Sequence, residues 1–261
     1  MDREIERTGA AFARYADDTV MVCDDYQLAG RLASIMLAHG KRSGATINLA
    51  KSEGISWLAG PGRTELRTKP SFTFLGHDIS PAGISISRKT ITRFKKRISS
   101  ILYKHLLRHP KRGEFNPNRL DLTGVDWDLV TCINELRRYL YGRLGEAYLR
   151  RALVGARPLR LSNCALSYFP LVTNPREFER LDGWLADVLA RTYEKRRTLL
   201  SQLGYSTNPI STRALRTGEW YNASLRLEPN LPCVVSAWRY VRKCYHAYGL
   251  KHFPAPPPYS S

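Results

Sequence analysis

Asp17 and Asp18 stand side by side in FARYADDTVMVC, the stretch from Phe12 to Cys23, between two apolar, β-rich runs. Carboxylates at a tight turn between strands are held rigidly at the end of a sheet. Their oxygens suit Mg²⁺, a hard ion that combines carboxylate ligands with substrate phosphates. Two such ions about 3.5–4 Å apart stabilise the attacking and leaving oxygens of an in-line phosphoryl displacement. Catalysis of that kind is mostly positioning and charge neutralisation. The same two acids also fit a solvated hairpin turn, where Asp is common because its side chain bonds the nearby backbone.

The elements that must position the pair are written in the flanking text. FARY and TVMVC form the two strands of a hairpin joined by a small polar turn. QLAGRLASIMLAHGKRSG then sets Leu28, Leu32, Ile35, Met36 and His39 at three- and four-residue steps, an amphipathic helix ended by Gly40 or Gly44. TINL, SEGISWLAG and SFTFLGHDI are three further strands. From Arg88 the period changes. SRKTITRFKKRISSILYKHLLRH places Ile91, Phe94, Ile98, Ile101, Leu102 and Leu106 on one face of a helix. Between Arg88 and Arg112 there are ten Lys or Arg and no acid, a run that is either a solvated face or a track for phosphates.

A loop, HPKRGEFNPN, follows. Helical patterns return at DLVTCINELRRYLYGRLGEAYLRRALVG, EFERLDGWLADVLARTYEKRR and SAWRYVRKCYHAYGL. FPAPPPYSS is an extended Pro-rich tail. The expected fold class is α+β. Antiparallel hairpins and a helix occupy residues 1–87, a helical region 88–155, a helical C-terminal extension 156–252, and the tail 253–261.

Composition narrows the partner. The chain has 261 residues, 43% of them apolar, enough for a globular core. Its 41 Lys and Arg against 23 Asp and Glu give a formal charge of +18, and such self-repulsion calls for a polyanion, above all a nucleic acid. No apolar run approaches the roughly 20 residues of a membrane span. The opening MDREIERTGA is charged, unlike a signal peptide. A soluble, cytoplasmic protein without membrane partners is expected. Five scattered cysteines, without a C-x-x-C pair, argue for reduced thiols rather than zinc or disulfides. His77 fits a local packing or hydrogen-bonding role, and Trp57, Trp127, Trp184, Trp220 and Trp238 a core. Asp121, Asp126 and Asp128 lack calcium-loop spacing and fit helix caps.

Three motifs, in order, resemble one family. RYADD at Arg14–Asp18 is similar to the active-site hairpin of reverse transcriptases of the bacterial group II intron, retron and antiphage-defence lineages. GATINLAKSEGI, with Asn48, Lys51 and Ser52, resembles the family's N-x-x-K-[ST] segment, and FTFLGHDIS at Phe72–Ser80 its F-x-F-L-G primer-grip hairpin. CINELRRYLYGRLGEAYLRR and LDGWLADVLARTYEKRR look like the thumb and the helix beyond it. The resemblance runs from about Arg3 to Lys195, and the order and spacing of its motifs make it specific.

The resemblance implies an RNA-directed DNA polymerase. Its partners would be an RNA template, a DNA or RNA primer and dNTPs, its cofactor a two-ion Mg²⁺ site. Asp17 would ligate metal directly and Asp18 would be the accessory acid. Tyr15 and Ala16 would line the floor beneath primer end and nucleotide. Lys51 would face the departing pyrophosphate. Phe74, Leu75 and Gly76 would hold the primer, Gly76 also because a missing Cβ admits a close backbone. Arg88, Lys89, Arg93, Lys95, Lys96, Arg97 and Lys104 on the thumb helix would contact phosphates of the template–primer duplex.

The family's palm carries another essential Asp well before the hairpin, preceded by fingers and a Q-G segment, and eleven residues ahead of Phe12 cannot hold them. Asp24 and Asp25 do not replace it. They lie beyond TVMVC, about 20 Å along the strand from Asp18. Nothing places Asp78 near the turn. The chain is therefore expected to be a poor polymerase by itself. It would be a fragment or a truncated reading frame, one half of a split enzyme, or a remnant kept as a non-catalytic RNA-binding module.

Overall fold

The structure is a computed structural model that describes residues 1–44, 48, 52–58, 67–121, 124–155, 164–221 and 228–249. The TINL strand, Lys51 and the Pro-rich tail fall outside these residues, wholly or in large part. The fold is α+β and helix-dominated, 55% helix and 12% strand, with small sheets. It divides into two units, Met1–Gly83 and Ile84–Ser261.

In the first unit a short helix α1 (Asp2–Glu6) leads into β1 (Ala11–Tyr15) and β2 (Asp18–Val22), a two-stranded antiparallel ribbon. Asp25 then caps α2 (Tyr26–Ser43), its carboxylate accepting from the N–H groups of Gln27 and Leu28 at 3.1 and 3.0 Å. Gly44 ends α2 in the left-handed region, φ 69°, where a Cβ would be strained. Strand β3 is only Trp57–Leu58 and pairs parallel with β4 (Thr68–Lys69), a departure from all-antiparallel hairpins.

SFTFLGHDI is not one strand. It folds back as β5 (Phe72–Phe74) and β6 (His77–Ser80), and β7 (Gly83–Ile86) completes the sheet in the order β5-β6-β7. Alternation alone reads straight through Leu75-Gly76. The turn is set by backbone angles, φ 47° and 81°, positive at both central positions as a type I′ hairpin requires.

The second unit holds the core. Ser87 caps α3 (Arg88–Leu102), which continues as a π-helical turn over Tyr103–Leu107. Then come α4 (Trp127–Tyr141), α5 (Glu146–Val154), α6 (Arg176–Gln202), the short α7 (Thr212–Thr217) and α8 (Val234–Tyr248). The pattern DLVTC…RALVG thus makes two helices, divided at Gly142, φ 70°. Phe94, Ile98, Ile101, Leu102 and Leu106 are buried as the helical period requires, with α3 packed against α4 and α6. All five cysteines are free.

Burial differs sharply between the units. Among the described apolar side chains of Met1–Gly83, only Ile5 and Leu32 are buried. Trp57 is 42% exposed, against the expectation of a core residue, because β3 has a single short neighbour and no layer above it is described. Trp238 is buried, and Trp184 and Trp220 pack against the core of the second unit.

Candidate functional site

The β1–β2 register pairs Tyr15 with Asp18, leaving Ala16-Asp17 as a two-residue loop. Ala16 has φ 55°, and Asp17 is not among the positive-φ residues. A positive φ at the first loop position alone is the type II′ pattern, which prefers Gly there. Holding Ala in that region costs on the order of 1 kcal/mol. The turn therefore holds Asp17 on a short, strained loop with Asp18 at the start of β2, both exposed.

Cross-strand pairs share a face, so Asp18 lies on the side of Tyr15, Ala13, Val20, Ala11 and Val22. That side is apolar yet uncovered, with Val22 47% exposed. Apolar, β-rich runs flank the acids, and such runs suit burial. None of them is fully buried, because among the described residues no layer closes over both faces of the two-stranded ribbon. The opposite side sets Phe12 beside Met21, and Arg14 reaches Asp2 of α1 at 2.6 Å.

Among the described residues no third acid joins the pair. Asp25 is committed to the α2 cap, and Asp78 accepts a hydrogen bond from the Thr73 hydroxyl at 2.5 Å. Among the described residues no group of three His, Cys, Asp or Glu side chains is gathered to hold a metal ion. Two exposed carboxylates with no further ligand do not fit a two-ion site.

Of the other expected positions, Tyr15 and Ala16 stand at the tip of the ribbon, while Phe74, Leu75 and Gly76 form the end of β5 and the turn after it. Gly76 has a local reason to be glycine, its φ of 81°. His77 Nδ1 lies 3.1 Å from the Leu75 carbonyl oxygen and closes the same turn. Lys51 lies outside the described residues.

On α3 the seven expected cations separate into two sets. Arg88, Lys89, Arg93, Lys96 and Arg97 are exposed and have no acidic partner among the described residues. At 100° per residue they fan over one side of the helix and cover about 13 Å of its length. Lys95 lies with its Nζ 5.1 Å from the Trp184 ring centroid, and Lys104 donates to Glu135 at 3.0 Å. His105 Nε2 meets the same carboxylate oxygen. Burial raises the Glu135 pKa, but the bonds from His105 and Lys104 outweigh it and hold the group below its ordinary value.

Arg196 escaped the sequence reading. It sits on the buried stripe of α6 with Leu185, Leu189, Tyr193 and Leu200, a charge at an apolar position of the helical period, and that mismatch was the available signal. Asp126 caps α4 as expected, accepting from the N–H groups of Asp128 and Leu129 at 3.0 and 3.4 Å, and it also receives Arg196. Asp128 joins Arg196 and Arg119 at 2.8 and 2.7 Å. Asp121 accepts from the Val125 N–H at 2.8 Å. None of the described helices is long and apolar enough to cross a membrane.

No protein-family model matches the chain, and no curated protein matches it.

Proposed function

We propose that the chain is the C-terminal palm and thumb portion of an RNA-directed DNA polymerase, acting in template–primer-dependent nucleotidyl transfer. One observation carries the reading. Asp17 of the RYADD motif sits on a strained two-residue turn and Asp18 opens β2 beside it, at the end of an apolar face that nothing described covers. Rigid carboxylates next to an uncovered surface are what a site completed by other polypeptide and by substrate would present. The third carboxylate would come from that other polypeptide, and the Mg²⁺ ions held by the complete set would neutralise charge on the transferring phosphate. Within this chain, Tyr15 and Ala16 would form the floor, Leu75 and Gly76 would hold the primer, and the α3 cations would track phosphates.

The test is incorporation of labelled dNTPs on a primed RNA template, by the chain mixed with a polypeptide that carries reverse-transcriptase fingers and the other palm Asp. Asp17→Ala is expected to reduce incorporation to background while RNA affinity stays unchanged. Full incorporation by Asp17→Ala would refute the assignment.

A second reading, a non-catalytic RNA-binding module, is favoured by the concentration of the core and of the unpaired α3 cations in the second unit. It is distinguished by the same assay: RNA binds, and no dNTP is incorporated by any assembly containing the chain.

A further inference from the structure

We propose that Tyr103 is a base-stacking platform at the end of the α3 cationic face, so that this face takes single-stranded nucleic acid running beyond a duplex. The inference rests on the nucleic-acid reading of α3 and adds which part of the nucleic acid it holds.

Tyr103 is 46% exposed, although the buried side of the same helix accepts Phe94, Ile98 and Leu102. At 100° per residue it projects between Ser99 and Lys96, on the cationic side. An aromatic ring left in water among unpaired cations and small hydroxyl side chains matches the composition of single-strand binding surfaces. There a basic track follows the backbone and rings stack on bases. Tyr103 lies about 9 Å past Arg97 along the axis, so a strand with phosphates on Arg93 and Arg97 would bring a base over the ring a few nucleotides on.

The ring is also held in place. Lys111 Nζ lies 5.2 Å from the Tyr103 ring centroid. Tyr103 opens the π-helical turn, its carbonyl accepting from the Arg108 N–H at 2.9 Å. The next two residues, Lys104 and His105, are both tied to Glu135 of α4. A ring on an anchored backbone loses little further freedom when a base stacks on it, so more of the stacking energy appears as affinity. Isolated π-helical turns recur at functional sites.

The experiment compares the full chain with Tyr103→Ala, Tyr103→Leu and Tyr103→Phe, by fluorescence anisotropy, on a short single-stranded RNA and on a blunt RNA duplex of the same sequence. Tyr103→Ala is expected to weaken single-strand binding about 5- to 100-fold, leaving duplex binding and the salt slope unchanged. Tyr103→Leu, which keeps apolar bulk and helix propensity but lacks a flat ring, should behave like Ala, and Tyr103→Phe like the parent. Stacking quenches 2-aminopurine in the single strand, in the parent and the Phe variant alone. Equal losses on both RNAs, or none on either while the parent binds, would overturn the platform and leave the α3 reading standing. A parent that binds neither RNA at low salt would overturn both.

Discussion

Arg196 and Asp126 form an ion pair with both side chains fully shut off from solvent, Nε to Oδ2 at 2.6 Å, joining the last third of α6 to the N-terminal cap of α4. The Arg196 Nη1 donates to the Leu106 carbonyl oxygen at 3.0 Å, so the π-helical turn after α3 hangs on the same guanidinium. One side chain thus fixes three elements, including the one that carries the candidate nucleic-acid face.

Removing that guanidinium leaves Asp126 buried and unpaired. Arg196→Ala is expected to lower unfolding free energy by about 3–5 kcal/mol, the range for breaking a buried pair from one side. Urea denaturation followed by circular dichroism measures it. A loss below about 1 kcal/mol would mean the pair is solvated in solution.

Glu135 titrates below its ordinary value of 4.5, so the folded state binds protons there less readily than the unfolded chain. Its contribution to stability is therefore present above pH 4.5 and is lost as the pH falls through the lower folded value. Glu135→Gln should flatten the acid limb of stability against pH below about 4.5. A mutant acid limb identical to the parent's would show that the carboxylate is not engaged by His105 and Lys104.

The exposed α3 cations should act by counterion release. Arg93→Ala or Lys96→Ala is expected to reduce the slope of log K against log salt by about 0.7–0.9 each, whatever the RNA sequence. Stability should stay within about 0.5 kcal/mol of the parent, as for exposed positions generally. Lys95→Ala should behave differently, losing its packing over Trp184 and changing the salt slope little. Salt titration of RNA affinity, together with melting curves, separates the two kinds of position.

Both hairpin turns hold a residue at positive φ, glycine in one and alanine in the other. Gly76→Ala puts a Cβ at φ 81° and should destabilise by about 1–2 kcal/mol. Ala16→Gly relieves a left-handed alanine but frees the unfolded chain, so its net effect should stay within about 1 kcal/mol of zero. A Gly76→Ala variant as stable as the parent in melting curves, or an Ala16→Gly change well beyond 1 kcal/mol, would show that one of the turns has been assigned the wrong type.

Hydrogen exchange on the full chain should follow the uneven burial. Amides of α3, α4, α6 and α8 are expected to be the most protected, and those of β1 and β2 to exchange by shallow local opening. Uniform protection across Met1–Gly83 would require a core there beyond Ile5 and Leu32.

What the sequence disclosed was local and periodic. The Asp126 cap, the Gly44 stop and the buried face of α3 all follow from residue type and a period of 3.6, and each is found where that reasoning puts it. The hairpin inside SFTFLGHDI was hidden from alternation because its turn carries Leu75, a residue that gives no turn signal, at φ 47°. Exposure of the strands flanking Asp17 and Asp18 was invisible for another reason. Apolar composition states what a strand can bury, and the covering layer is a property of the rest of the molecule. Arg196 and its carboxylate partners lie 70 and 68 residues apart in sequence, beyond the reach of any periodic argument.

Neither β1 nor β2 has another strand beside it among the described residues, so each has an outer edge on which a further strand can pair, next to an apolar surface. Such a template accepts any extended segment of compatible shape, including its own twin in a neighbouring molecule. The strand that would quench this tendency is also the one best placed to bring a side chain alongside Asp17.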